Sequence, residues 1–127
     1  MSEEARRPTA RLLVVDDSES NRFTLQVLLE DAGFTVDTAP SFREAEKRLV
    51  PEGSGYQMFL LDEHLGDGLG SKLVPLIRER QPRARLVLMR GSLRYSDELP
   101  PDGFVDGILD KNSDFPQVLE MLNKLLE

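Results

Sequence analysis

Three acidic side chains in this 127-residue chain stand where apolar runs stop. Met58-Phe59-Leu60-Leu61 ends in Asp62, and Leu12-Leu13-Val14-Val15 ends in the pair Asp16-Asp17. Adjacent carboxylates repel one another by roughly 1 kcal/mol at 4 Å in water and by more in a lower dielectric, so a cation must compensate them. Lys111 follows the run Ile108-Leu109 and one acid. Arg90-Gly91-Ser92 follows Leu86-Val87-Leu88-Met89. Carboxylates without histidine or cysteine among them form a hard, oxygen-only site that suits Mg²⁺ with several retained waters better than zinc or copper. A carboxylate nucleophile, a divalent ion and a lysine are together the parts of an aspartyl-phosphate chemistry.

The elements that must position these residues follow from periodicity. Runs of four apolar residues read as strands buried on both faces at Leu12–Val15, Met58–Leu61 and Leu86–Met89, with a short second strand at Phe34–Val36 and a fifth at Val105–Leu109. Between them come apolar residues at helical spacing. Leu25, Leu28, Leu29 and Ala32 fall on one face, with Gly33 as the stop. Ser41 with Glu44 makes a capping box for a second helix carrying Ala45 and Leu49 inward, broken by the stretch 51–55. Leu73, Leu76 and Ile77 define a third helix, with Pro75 in its first turn. Asp114 and Gln117 open a last helix that is expected to bury Leu119, Leu122 and Leu126. The segment 93–103 is the least regular, because Pro100-Pro101 and Asp102-Gly103 cut any helix short near Leu99.

Strand–helix alternation repeated five times implies an α/β fold: a flavodoxin-like, doubly wound, five-stranded parallel sheet in the order 2-1-3-4-5, with helices on both faces. Ligands in such sheets bind beyond the carboxyl ends of the strands. Asp16, Asp17, Asp62, Arg90 to Ser92 and Lys111 are all expected to converge there.

Composition bounds the rest. The length fits one domain, with residues 1–10 as a flexible lead and 11–127 as the folded unit. Sixteen Lys and Arg against 23 Asp and Glu give a net charge of −7, which argues against nucleic acid or an acidic membrane surface as the main partner. The absence of cysteine excludes disulfides and thiolate chemistry. No secretion-type leader and no membrane-spanning run is visible, so the expected location is the cytoplasm.

The chain resembles the receiver domains of the two-component response regulators. RLLVVDD, NRFTLQVLLEDAGF, FLLDEHLGDGLG and ILDK carry the likeness, in the family's order and at strand ends. The resemblance implies that Asp62 accepts a phosphoryl group from a sensor histidine kinase. It implies that Asp17, Asp62 and the main-chain carbonyl of His64 bind Mg²⁺, that Asp16 reaches the metal through water, and that Lys111 contacts the phosphoryl group. A stand-alone signalling module is expected, not an enzyme: a monomer or weak dimer passing its signal to a downstream protein. The departures are equally specific. Arg90 stands where the family places a threonine or serine on the phosphoryl oxygen, unless Ser92 supplies that hydroxyl. Ile108 replaces the switching aromatic residue, Asn112 replaces the proline after the lysine, and Leu65-Gly66 replaces a Met-Pro pair.

These departures leave an alternative, a pseudo-receiver that binds its partner without phosphorylation. A magnesium phosphohydrolase is disfavoured, because Ser18 and His64 stand where a second acid would be wanted. Arg90 reads either as a solvent-exposed strand end or as a guanidinium reaching the acidic pocket. The arginines at 78, 80, 83 and 85, interleaved with Glu79, read as a solvated face, and Phe23, Phe42 and Phe104 as ordinary core or edge aromatics.

Overall fold

The structure is a computed structural model that describes residues 10–49, 55–91 and 103–127. The stretches 1–9, 50–54 and 92–102 lie outside it, and with them nearly all of the expected N-terminal lead, most of the break after the second helix, the Pro-Pro segment and Ser92.

Five parallel strands form the sheet: β1 (Arg11–Val15), β2 (Thr35–Ala39), β3 (Met58–Asp62), β4 (Arg85–Arg90) and β5 (Gly107–Asp110). Their order is β2-β1-β3-β4-β5, as the alternation of elements predicts. Between them run α1 (Glu19–Asp31), α2 (Phe42–Lys47) and α3 (Val74–Arg80), and α4 (Phe115–Leu125) follows the last strand. Because successive strand side chains point to opposite faces, the apolar runs split into two cores. Leu13, Val15, Phe59, Leu61, Leu86 and Leu88 pack with Ala45 of α2 and Ile77 of α3. Leu12, Val14, Met58, Leu60, Val87 and Met89 pack with Leu29 of α1 and Leu122 of α4. Burial on both faces is why these strands read as unbroken apolar runs.

Helix starts follow their side-chain caps. Ser18 Oγ accepts from Asn21 N, Ser41 Oγ from Glu44 N and Asp114 Oδ1 from Gln117 N. Pro75 sits in the first turn of α3. Gly33, at φ 105°, makes the left-handed turn that ends the α1 segment.

Several boundaries and faces differ from the sequence-based expectation. Strand β2 runs three residues past Val36, paired to β1 along its whole length, because Asp37 is satisfied by Arg11 and by the Tyr56 hydroxyl. Strand β5 begins only at Gly107. Asp106 binds Leu86 through both its amide and its carboxylate (2.8 and 2.7 Å), so the ladder starts one residue later. On α4 the buried residues are Val118 and Leu122, while Leu119 and Leu126 are half-buried. On α1 only Leu29 is fully buried. Ala32 is exposed, Leu28 is 36% exposed, and Phe23 stands 67% exposed on the outer face. Of the arginine cluster, Arg80, Arg83 and Arg85 are exposed, as a solvated face requires, while Arg78 pairs with Asp106, Arg80 donates to Leu49 O and Arg85 to Leu125 O.

Candidate functional site

The carboxyl ends of β1, β3 and β5 meet at one place. Asp16 follows β1 and is fully buried; Asp62 ends β3 at 4% exposure; Asp17 is exposed. Lys111, just after β5, places Nζ 3.0 Å from Asp62 Oδ2 and 3.1 Å from Asp16 Oδ2. One ammonium thus bridges carboxylates from two strands. The remaining oxygens are held by backbone: Asp16 Oδ1 accepts from Ser18 N (2.9 Å) and Asp62 Oδ1 from His64 N (3.2 Å). Arg22 of α1 donates to the Asp16 carbonyl at 2.8 Å. The lysine itself is positioned through its own amide, which donates to Arg90 O at 2.7 Å. Asn112 Nδ2 reaches Gly91 O at 3.2 Å, tying the ends of β4 and β5 together.

The electrostatics follow from this burial. Desolvation raises the Asp62 pKa above the usual carboxylate range and the nearby Asp16 charge adds to it, while Lys111 and the His64 amide pull the other way. For Lys111, desolvation acts to lower the pKa, but the contacts to Asp62 and Asp16 outweigh it and hold the ammonium above the ordinary lysine value.

The donor set fits a hard cation. Asp16, Asp17 and Asp62 each offer an oxygen, and the three lie within 4.8 Å of one another. The His64 side chain is exposed, which leaves its backbone as the part of the residue that faces the strand end.

The loop after Asp62 is held by contacts without a local sequence signal. His64–Leu65 and Gly68–Leu69 form a small antiparallel ladder, and a 3-10 turn (Gly70–Leu73) leads into α3. Gly70 packs so close to the Asp62 carbonyl that any Cβ there would collide with backbone. Asp67 accepts from the amides of Phe42 and Arg43 at 2.8 and 3.1 Å, capping α2 from the loop. Arg90 is not the solvent-exposed strand end that one reading expected. It is 9% exposed, and its Nη2 lies 3.9 Å from Glu63 Oε2. Ile108 is half-buried on β5, opposite Leu88.

Residues 12–123 match the model of the response regulator receiver domain. The chain belongs to this family. Receiver domains are the signalling modules of two-component systems, and this one shares the family's five-stranded parallel sheet. It is 35% identical over 80 residues to the photosynthetic apparatus regulatory protein RegA of Cereibacter sphaeroides, covering 63% of this chain and 42% of that one. It is 32% identical over 87 residues to the alginate biosynthesis transcriptional regulatory protein AlgB of Pseudomonas putida, covering 68% and 19%. This receiver therefore spans less than half the length of these relatives. Among solved structures it is similar to the response regulator TrrA of Thermotoga maritima in complex with Mg²⁺-BeF, at 28% identity and a TM-score of 0.80, covering 93% of this chain and all of that one. It is also similar, at 27% identity and a TM-score of 0.80, to a structure of the histidine kinase ThkA in complex with TrrA, covering 94% and 100%. Among the described residues of this receiver, no helix is long and apolar enough to cross a membrane.

Sequence reasoning named Asp16, Asp17, Asp62 and Lys111, and the structure brings them together. It missed Glu63, Asp67 and Arg22, whose contacts span loop and helix. A serine three residues before Asn21 was the local signal available for the Ser18 cap beside Asp16.

Proposed function

We propose that this receiver accepts a phosphoryl group on Asp62 from a histidine kinase, with Mg²⁺ at the carboxylates, and passes the signal on through contacts with a downstream protein. The observation that carries this reading is the single ammonium of Lys111 held between Asp62 and Asp16 at 3.0 and 3.1 Å. In the transfer, an Asp62 oxygen attacks phosphorus, the new P–O bond forms as the P–N bond to the donor imidazole breaks, and the imidazole leaves with the electron pair. The Asp62 carboxylate accepts from Lys111 and from the His64 amide, and Lys111 is placed to stay with the phosphoryl oxygens. Asp17, Asp62 and the His64 carbonyl would hold Mg²⁺, with Asp16 acting through water. Bound there, the ion neutralises charge on the incoming group.

TrrA, seen with Mg²⁺-BeF and with ThkA, supports the reading by likeness. On this reading the domain works in the cytoplasm, as a monomer or weak dimer, and as a signalling module with residues 11–127 acting as one unit. Arg90, where the family has a hydroxyl, favours a second reading: a module that binds its partner without phosphorylation. Incubation with acetyl phosphate and Mg²⁺ separates the two. The first expects an acid-labile phosphate that Asp62→Asn abolishes. Phosphate that persists in that variant, or none in the unaltered chain, contradicts it.

A further inference from the structure

The residues assigned to Mg²⁺ come from two pieces of chain, Asp16-Asp17 beyond β1 and Asp62 with the His64 carbonyl at the end of β3. Pairing of β1 with β3 fixes these pieces to each other as far as Val15 opposite Leu61. Past that register the His64 side leaves the sheet in the hairpin of His64–Leu65 with Gly68–Leu69, whose two residue pairs are too few to hold a shape unaided. Its base is tied by the Gly70 amide, which donates to the Glu63 carbonyl at 2.9 Å. Its tip is tied to α2. Asp67 Oδ1 accepts from Phe42 N at 2.8 Å and Oδ2 from Arg43 N at 3.1 Å, and a Cβ on Gly68 would stand 3.2 Å from the Phe42 ring. Three residues before Phe42, the Ala39 carbonyl accepts from Asp16 N at 3.2 Å. The stretch from Ala39 to Arg43 thus touches both pieces of the site.

We propose that Asp67 is a positioning residue for the metal site: by pinning the hairpin tip to the first turn of α2, it fixes where the His64 carbonyl sits relative to Asp16-Asp17. This rests on the reading of Asp16, Asp17, Asp62 and His64 as the residues that hold Mg²⁺. Each Asp67 oxygen serves one amide, and an ionised acceptor makes a hydrogen bond about twice as strong as a neutral one. The same amides hold the Asp67 carboxyl below the ordinary carboxylate range, so both oxygens are acceptors at neutral pH. Ser41 Oγ already caps α2 by accepting from Glu44 N, so the helix has a start of its own. What Asp67 adds is the link to the loop. Mg²⁺ demands near-ideal ligand placement, so a carbonyl free to wander costs affinity. Cutting this link touches neither contact of Lys111, to Asp62 or to Asp16.

The test uses the full chain, ¹⁵N-labelled, at a temperature where circular dichroism shows each variant folded. Mg²⁺ alone is the ligand, followed by calorimetric titration and by backbone amide resonances. The unaltered chain binds the ion, and the Phe42 and Arg43 amides move with the titration although no proposed ligand lies on α2. In Asp67→Ala the dissociation constant rises roughly tenfold, the lower end for groups that orient a metal's ligands, and the α2 amides stop responding. Asp67→Asn, with one acceptor oxygen for two amides, falls between these and carries the test if the alanine variant does not fold. Ser41→Ala removes the cap of α2 without cutting the link, and keeps the dissociation constant of the unaltered chain. The proposal is overturned if the Asp67 variants bind Mg²⁺ as tightly as the unaltered chain, or if Ser41→Ala weakens binding as much as they do. No uptake of millimolar Mg²⁺ by the unaltered chain would instead overturn the reading of the metal site, and this proposal with it.

Discussion

Replacing Lys111 by Met removes the charge that holds two buried carboxylates and keeps most of the apolar stem. The ammonium lies 3.0 and 3.1 Å from its two partners, whose side chains are 5% and 0% exposed. Each contact at this distance is worth about 5 kcal/mol of Coulomb energy at an effective dielectric of 20. Desolvation of the three groups cancels much of that, and removing one partner of a buried pair typically costs about 3–5 kcal/mol. The lysine side chain is 21% exposed, so water reaches the site and a loss of about 2–4 kcal/mol is expected. For a domain of this size that corresponds to a fall in Tm of roughly 8–16 °C. Thermal unfolding at pH 7 in a chelator, then in millimolar Mg²⁺, reads the effect. The variant should recover more stability from Mg²⁺ than the unaltered chain, because a divalent ion among the same carboxylates supplies the missing charge. Adding Asp62→Asn to Lys111→Met should restore part of the loss. A Tm unchanged by Lys111→Met in chelator would refute the view that this lysine compensates the acids.

Asp62→Asn should stabilise the fold near neutral pH. Burial, then Asp16, raises the folded-state pKa of Asp62, so its favourable contribution is complete below the ordinary carboxylate range and is lost as pH rises through the raised value. Urea titrations across the acid range should show that decline in the unaltered chain and not in the variant. Asp67→Asn should lower Tm at pH 7, because the amides of Phe42 and Arg43 depress the pKa of this acid. Its contribution is present above the ordinary carboxylate range and fades as pH falls through the depressed value, so the Tm gap between the variant and the unaltered chain should be widest at pH 7 and close as the melts are taken to progressively lower pH. Gly70→Ala sets a Cβ against the Asp62 carbonyl, backbone against backbone. We expect a loss of about 1–3 kcal/mol in chemical denaturation, with slower phosphate incorporation because the acceptor strand end must shift.

The sheet order was legible because strands covered on both faces must be apolar throughout, and the site because its acids and lysine fall where those runs end. What escaped the sequence depends on partners far along the chain. Asp37 looks like the end of a strand until Arg11 and Tyr56 satisfy it. Val105 looks like a strand residue until Asp106 takes the Leu86 amide for itself. Asp67 caps a helix that begins 25 residues before it, and Glu63 reads as a loop acid until Arg90 and Ser71 close on it. Apolar spacing alone placed Leu28 and Ala32 inward, whereas the helix turns Leu25 and Leu29 toward the sheet.

Borohydride reduces an aspartyl phosphate to homoserine and leaves a free carboxylate untouched. Treating the chain with acetyl phosphate and Mg²⁺, trapping with borohydride and sequencing the peptides by mass spectrometry should therefore find homoserine at position 62. Aspartate still intact there, or homoserine at position 16 or 17 instead, would contradict the assignment of the acceptor.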